Sequence, residues 1–141
     1  MRNQNKKKVK HLIYSSNPVG FDDNVIKEIL AVSRDNNTKN DITGALIYRQ
    51  DLYLQFLEGP EDEVDNTYKK IMTDKRHNDL HKLSESIDSR RLFSTWAMRG
   101  DPVETWMWSY EEVKGGLLKN LSAEEASAAF EKLSKDVDQF N

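Results

Sequence analysis

Cysteine is absent from the 141 residues. That excludes disulfides, thiolate nucleophiles, cysteine-based zinc sites and any photochemistry that forms a cysteinyl adduct. Glycine is sparse, and its six positions (20, 44, 59, 100, 115 and 116) form no G-x-x-x-x-G-K or G-x-G-x-x-G phosphate loop. No apolar run approaches the ~20 residues that span a bilayer, and nothing near the N-terminus reads as a signal peptide. The expectation is a soluble, cytoplasmic protein with no membrane partner. Histidine is also scarce: of His11, His77 and His81, the last two stand four apart, the spacing of a helical metal pair. The "NDL" between them leads into a strand and no third ligand follows, so no metal site is expected.

Charge of one sign is not in excess: the formal net charge is −3, which argues against nucleic-acid binding. The distribution is uneven. Residues 1–10 (MRNQNKKKVK) hold five of the 21 basic residues and no acid, leaving the rest near −8. With almost nothing apolar to bury, residues 1–9 are expected to be a disordered basic leader.

What is present reads as one α+β domain. "HLIYSS" (11–16) is a β-prone run closed by "NPVG". "DDNVIKEILAVSRDNN" places Val25, Ile26, Ile29, Leu30 and Val32 at helical spacing, with Asp22 or Asp23 as N-cap and Asn-rich "NNTKND" (36–41) as the break. "ITGALIY" (42–48) and "LYLQFLE" (52–58) read as a hairpin whose continuous apolar runs imply a sheet covered on both faces. A second helix over "GPEDEVDNTYKKIMTD" (59–74) turns Val64, Thr67, Tyr68, Ile71 and Met72 inward. "LHKLSESI" (80–87) is a fourth strand, and "LFSTWAMRG" (92–100) is a turn entering a fifth. The order β-α-β-β-α-β plus one strand is the ferredoxin-like split βαβ arrangement, with both helices on one face.

Beyond this core (10–105), residues 106–141 are expected to be a helical cap on the opposite face. "SYEEVKGGLLKNL" is a helix interrupted at Gly115-Gly116. The next helix opens with a capping box, Ser122 to Glu125, and spaces Ala126, Phe130, Leu133, Val137 and Phe140 by fours and threes. That stripe suits docking on the sheet, on a second copy of the chain, or on a partner. Trp106, Met107 and Trp108 either pack the end of the sheet or form an interface.

Polar residues inside apolar elements are the candidates for chemistry. Tyr14 interrupts the first strand and Gln55 the third; Ser33, Asn36 and Asn37 end the first helix. Singly, each has an ordinary reading: a tyrosine with its hydroxyl at the rim, a glutamine on a solvated face, an asparagine C-cap. Together, with strands one and three adjacent, they line a slot between the two helices walled by Ile29 and Leu30. A phenol, two amides and a hydroxyl there suit a flat heteroaromatic ligand with donors and acceptors on one edge.

"LIYSS" (12–16), "SRDNN" (33–37), "ITGALIY" (42–48), "LYLQFLEGP" (52–60), "DKRH" (74–77) and "LFSTWAM" (92–98) occur in an order and spacing that resemble the BLUF domain, the flavin-binding blue-light sensor. The resemblance implies FAD, with its ring between the two helices. It gives Tyr14 the electron-donor position, Gln55 that of the switching amide, and Asn37 the carbonyl and N3–H edge of the flavin. Asn36 stands at a further polar contact, Ser33, Trp96 and Met98 in the surrounding shell, Met98 nearer than Trp96, and His77 near the far end of the ring. In the implied cycle Tyr14 passes an electron and a proton, and Gln55 is left rearranged by rotation or tautomerisation. With about 40 residues after the core, the expectation is a stand-alone, non-enzymatic photoreceptor. It would be a homo-oligomer, dimer or larger, signalling to a separate protein. The rivals are an acyl-phosphate hydrolase, for which "SSNPVG" offers one glycine and no arginine, and a flavin- or other ligand-binding module without photosensing.

Overall fold

The computed structural model describes residues 8–104 and 106–140, with side chains through residue 135. Its frame is a five-stranded sheet: β1 (Val9–Pro18), β2 (Thr43–Arg49), β3 (Leu52–Gly59), β4 (His77–Asp88) and β5 (Arg99–Pro102), in the order β4-β1-β3-β2-β5. β5 lies parallel to β2, and the other three pairings are antiparallel. The fold is ferredoxin-like with one added strand, as expected, and β1 and β3 are central neighbours.

β1 begins earlier than the sequence suggests. Residues 1–7 of the expected leader lie outside the described residues, but Val9 is a buried strand residue rather than leader, followed by the buried Lys10. Lys10 is tolerated there because its Nζ lies 2.5 Å from Asp65 and 2.6 Å from Glu85, so burial does not strand the charge.

α1 (Asp23–Lys39) starts where Asp22 accepts a hydrogen bond from the Val25 amide at 2.8 Å. It continues past Asn36 and Asn37, and Asn40 closes it, so those two asparagines lie in the last turn rather than cap it. The inward stripe runs Ile26, Leu30, Ser33, Asn37, spaced four, three, four. Val32 therefore falls off it and is exposed, contrary to the expected inner set. The helix thus presents an apolar face at its start and a polar one at its end. In α2 (Glu61–Met72), Val64 and Tyr68 are buried, whereas Met72 is exposed because it lies one position beyond the stripe.

Strand alternation divides the core in two. Leu12, Tyr14, Leu46, Tyr53 and Leu57 meet α1 and α2 on one face. Ile13, Ile47, Leu54 and Phe56 meet Ala126, Phe130 and Leu133 of α4 (Ala123–Phe140) on the other. Gln55 shares the first face. Gly44 permits the close β2–β3 approach at this point: a Cβ there would lie 2.0 Å from the Phe56 carbonyl oxygen.

α3 (Tyr110–Lys114) precedes α4; it carries a capping box from Ser109 and Glu112 and ends at Gly115-Gly116, where Gly116 adopts φ +90°. The Ser122–Glu125 box that opens α4 is formed, with bonds of 2.9 and 3.1 Å. Met107 and Trp108 pack partly into the back core and Lys132 lies 4.4 Å from the Trp106 ring centroid, while all three residues keep part of their surface exposed. The side chains of Val137 and Phe140, placed on the α4 stripe, lie outside the described residues. No helix among the described residues is long and apolar enough to cross a membrane.

Candidate flavin site

The β1–β3 register sets Tyr14 directly opposite Gln55, and β2 places Leu46 opposite Gln55 on the other side. Both polar side chains are buried on the α1–α2 face. The Tyr14 hydroxyl donates to Gln55 Oε1. Gln55 Nε2 points the other way and donates to Met98 Sδ at 3.4 Å. Thioether sulfur is a weak acceptor, so one end of this buried amide is held firmly and the other loosely. Burial pushes the Tyr14 phenol far above its ordinary value, reinforced by Tyr68, Asp74 and Tyr53. Tyr14 is therefore a neutral donor at neutral pH.

Met98 is fully buried, whereas Trp96 is exposed by 39%. Met98, not Trp96, is thus the residue of this segment that touches Gln55. The segment is fixed from several directions. Arg34 Nε donates to the Met98 carbonyl at 2.9 Å and Asn37 Nδ2 to the Ala97 carbonyl at 2.9 Å, both from α1. The Gly44 amide of β2 donates to the Trp96 carbonyl at 3.1 Å. Glu58, fully buried at the end of β3, accepts from the amides of Leu92 (2.6 Å) and Phe93 (2.7 Å) and from Thr43 Oγ1 (2.8 Å).

Two contiguous cavities open between α1 and α2. The inner one, about 60 Å³, is lined by Tyr14, Ile29, Leu46, Tyr53, Gln55 and His77 among others. The outer one, about 210 Å³, is lined by Asn36, Asn37, Thr67 and Lys70, and shares Ser33, Gln55, Ile71, Asp74 and Arg76 with the inner. Asn36 is exposed and stands at the rim; Asn37 is buried. His77 Nε2–H donates to the Ile71 carbonyl at 2.6 Å, which leaves Nδ1 to accept from Ser16 Oγ at 2.7 Å. His81 bonds Asp79 instead, and four residues along a strand separate it from His77 by roughly 13 Å, too far to share an ion.

The structure adds residues that the sequence reading passed over. Arg76 forks onto Asp74 through Nε (3.0 Å) and Nη2 (2.6 Å), and this holds the Asp74 carboxyl below the usual range. Both stand in the quoted "DKRH" motif, where only His77 received a role. Arg34, Glu58 and Tyr53 gave no signal, because an arginine on a helix, a carboxylate at a strand end and an in-strand tyrosine are ordinary in sequence. A larger cavity, about 430 Å³, lies away from Gln55, against the end of β1 and α3. It mixes Asp51, Asp79, Lys114 and Lys119 without a converging donor set.

The residues fit an inserted flavin ring. The cavity is too small for a whole dinucleotide, so a ring would enter and the remainder stay outside. Its walls offer aliphatic carbon from Ile29, Leu46 and Ile71, with the Gln55 and Asn37 amides supplying both donors and acceptors.

Comparison with known proteins agrees. A stretch of 68 residues, 48% of this chain, is 35% identical to the blue light- and temperature-regulated antirepressor BluF of Escherichia coli (strain K12), of which it covers 17%. The fold superposes on a bacterial light-regulated adenylyl cyclase with a TM-score of 0.66 and 32% identity, over 90% of this chain and 36% of that one. It also superposes on the dark state of BlrB, a BLUF protein, with a TM-score of 0.79 and 22% identity, covering 93% and 98% of the two chains. The chain therefore matches only a minor part of the antirepressor and of the cyclase. Residues 9–99 match the family described as "BLUF: Sensors of blue-light using FAD". With a tyrosine bonded to a buried glutamine in the slot between α1 and α2, and the family match running through all six quoted motifs, this chain belongs to the BLUF family of blue-light sensors that use FAD.

Proposed function

We propose that the chain is a photoreceptor whose switch is the Tyr14–Gln55–Met98 chain of contacts, and that it signals through a separate protein rather than by catalysis of its own. The observation that carries this is the asymmetry around Gln55: a strong bond from Tyr14 on one side and a weak sulfur contact on the other.

The flavin, when bound, absorbs blue light and in its excited state becomes an acceptor for one electron. Tyr14 is the buried group that can supply it, and its proton already lies against Gln55 Oε1. A phenol that loses an electron becomes strongly acidic, so the proton leaves along that bond; return of electron and proton restores Tyr14. Gln55 is free to settle differently, since its amide nitrogen has only sulfur to give up. Asn37 supplies a donor and an acceptor to the ring edge, Ile29 and Ser33 bound the ring on the α1 side, and Asn36 and Lys70 at the mouth meet the polar remainder of FAD. His77, fixed between Ser16 and Ile71, closes the inner end.

The output path runs from Gln55 to Met98 and on through β5 into residues 106–141, the cap that we assign as the relay segment. A rearranged Gln55 amide biases the position of Met98, and the segment around it is joined to α1, β2 and β3 by the bonds described above. We place the protein in the cytoplasm, as a dimer or larger assembly.

The test is Gln55→Leu. The variant is expected to fold and bind flavin but to lose the light-induced red shift of the absorption bands. A Gln55→Leu protein with the full wild-type shift would sink this mechanism.

A further inference from the structure

Tyr53 stands two residues before Gln55 on β3, so its ring projects on the same face, into the same inner cavity. The residue is 3% exposed, and its hydroxyl is buried with no hydrogen-bond partner among the described residues. The ring itself is well placed: its centroid lies 6.4 Å from that of His77 and 6.3 Å from that of Phe21. A phenylalanine would make those ring contacts equally well without desolvating a hydroxyl. The polar groups at this end of the cavity do not serve it. His77 uses both nitrogens on Ser16 and Ile71, and Arg76 is forked onto Asp74. A buried hydroxyl without a partner is a net cost to the fold, and it stands beside the two residues that carry the chemistry.

We propose that Tyr53 is a further flavin-anchoring residue, its hydroxyl bonding a polar atom of the isoalloxazine–ribityl part of the cofactor. The inference rests on the flavin reading of the cavity and adds to it a contact outside the Tyr14, Gln55 and Asn37 set. It has an unusual energetic signature. Removing the hydroxyl takes a penalty away from the cofactor-free protein while taking an interaction away from the complex, so stability and affinity move in opposite directions.

Tyr53→Phe is compared with wild type in two measurements: thermal unfolding of the cofactor-free protein, and titration with FAD and, separately, riboflavin. The expected result is an unchanged or higher Tm together with a Kd raised about 2- to 12-fold for both flavins, the value of one net hydrogen bond. An unchanged or lower Kd would show that water satisfies the hydroxyl and overturn the proposal. So would a parallel loss of Tm and affinity, which would make Tyr53 a structural group. A loss confined to FAD would put the contact on the phosphates or adenine and overturn the assignment to the shared part. A wild-type protein that binds neither flavin would remove the underlying reading, an outcome distinct from a Tyr53→Phe protein that binds both normally.

Discussion

Gln55 brings two donors and an acceptor into the interior of a central strand, where an unpaired amide costs about 1–3 kcal/mol. Tyr14 satisfies the oxygen, but Met98 sulfur only partly satisfies the nitrogen. The site is thus poised at one atom. Replacing Tyr14 with Phe removes the hydroxyl and its bond to Gln55 Oε1 while preserving the ring packing against Tyr68 and His77. The expected outcome is a yellow, folded protein whose flavin spectrum no longer moves to the red under blue light, checked by absorption before and after illumination. Met98→Ala acts one step later. It is expected to retain the red shift and to shorten or lengthen its dark recovery several-fold, read as the decay of the light-minus-dark spectrum. A Met98→Ala protein with wild-type recovery would separate Met98 from the switch.

At the scale of elements, the segment between β4 and β5 is the piece whose position the sequence did not reveal. Strand identities were legible from apolar runs and turn residues, and the Tyr14–Gln55 pairing followed from the strand order that the βαβ pattern implies. The tethering of residues 92–98 was not, because it depends on side chains distant in sequence: Glu58, Asn37 and Arg34 each reach across the fold to a backbone group. For the same reason the Asn-rich run from residue 36 reads in sequence as the break of α1 rather than as its last turn. Only the packed helix shows Ser33 and Asn37 continuing the inward stripe while Val32 leaves it. Glu58→Ala tests the tether. Leaving the amides of Leu92 and Phe93 without an acceptor is expected to cost about 1–3 kcal/mol each in urea unfolding and to speed their hydrogen exchange. An unaltered stability would mean that water replaces the carboxylate at no loss.

For the whole molecule, the burial of phenols and the pairing of carboxylates define a pH window. Burial raises Tyr14, Tyr48, Tyr53 and Tyr68 above their ordinary value of 10. In the unfolded chain these groups ionise near pH 10, so their contribution is intact below that pH and is lost as pH rises through the folded values. Arg76 lowers Asp74 and Lys10 lowers Glu85, so their contribution is present above the ordinary carboxylate range, about pH 4, and disappears as pH falls through the folded values. Urea midpoints are expected to be flat from about pH 6 to 9 and to fall on both sides. A midpoint already falling between pH 7 and 9 would contradict the buried, neutral state of these tyrosines.

The α1–α2 face that lines the slot and the α4 face lie on opposite sides of one sheet. Everything proposed about output presupposes that the α1–α2 slot holds a photoactive flavin. The measurement that tests this most directly is the visible absorption spectrum of the purified protein, taken in the dark and again after blue illumination. The expected result is a flavin spectrum that moves slightly to the red and returns in darkness. A protein that stays colourless after reconstitution with FAD, or one whose flavin bands do not move under light, would contradict it.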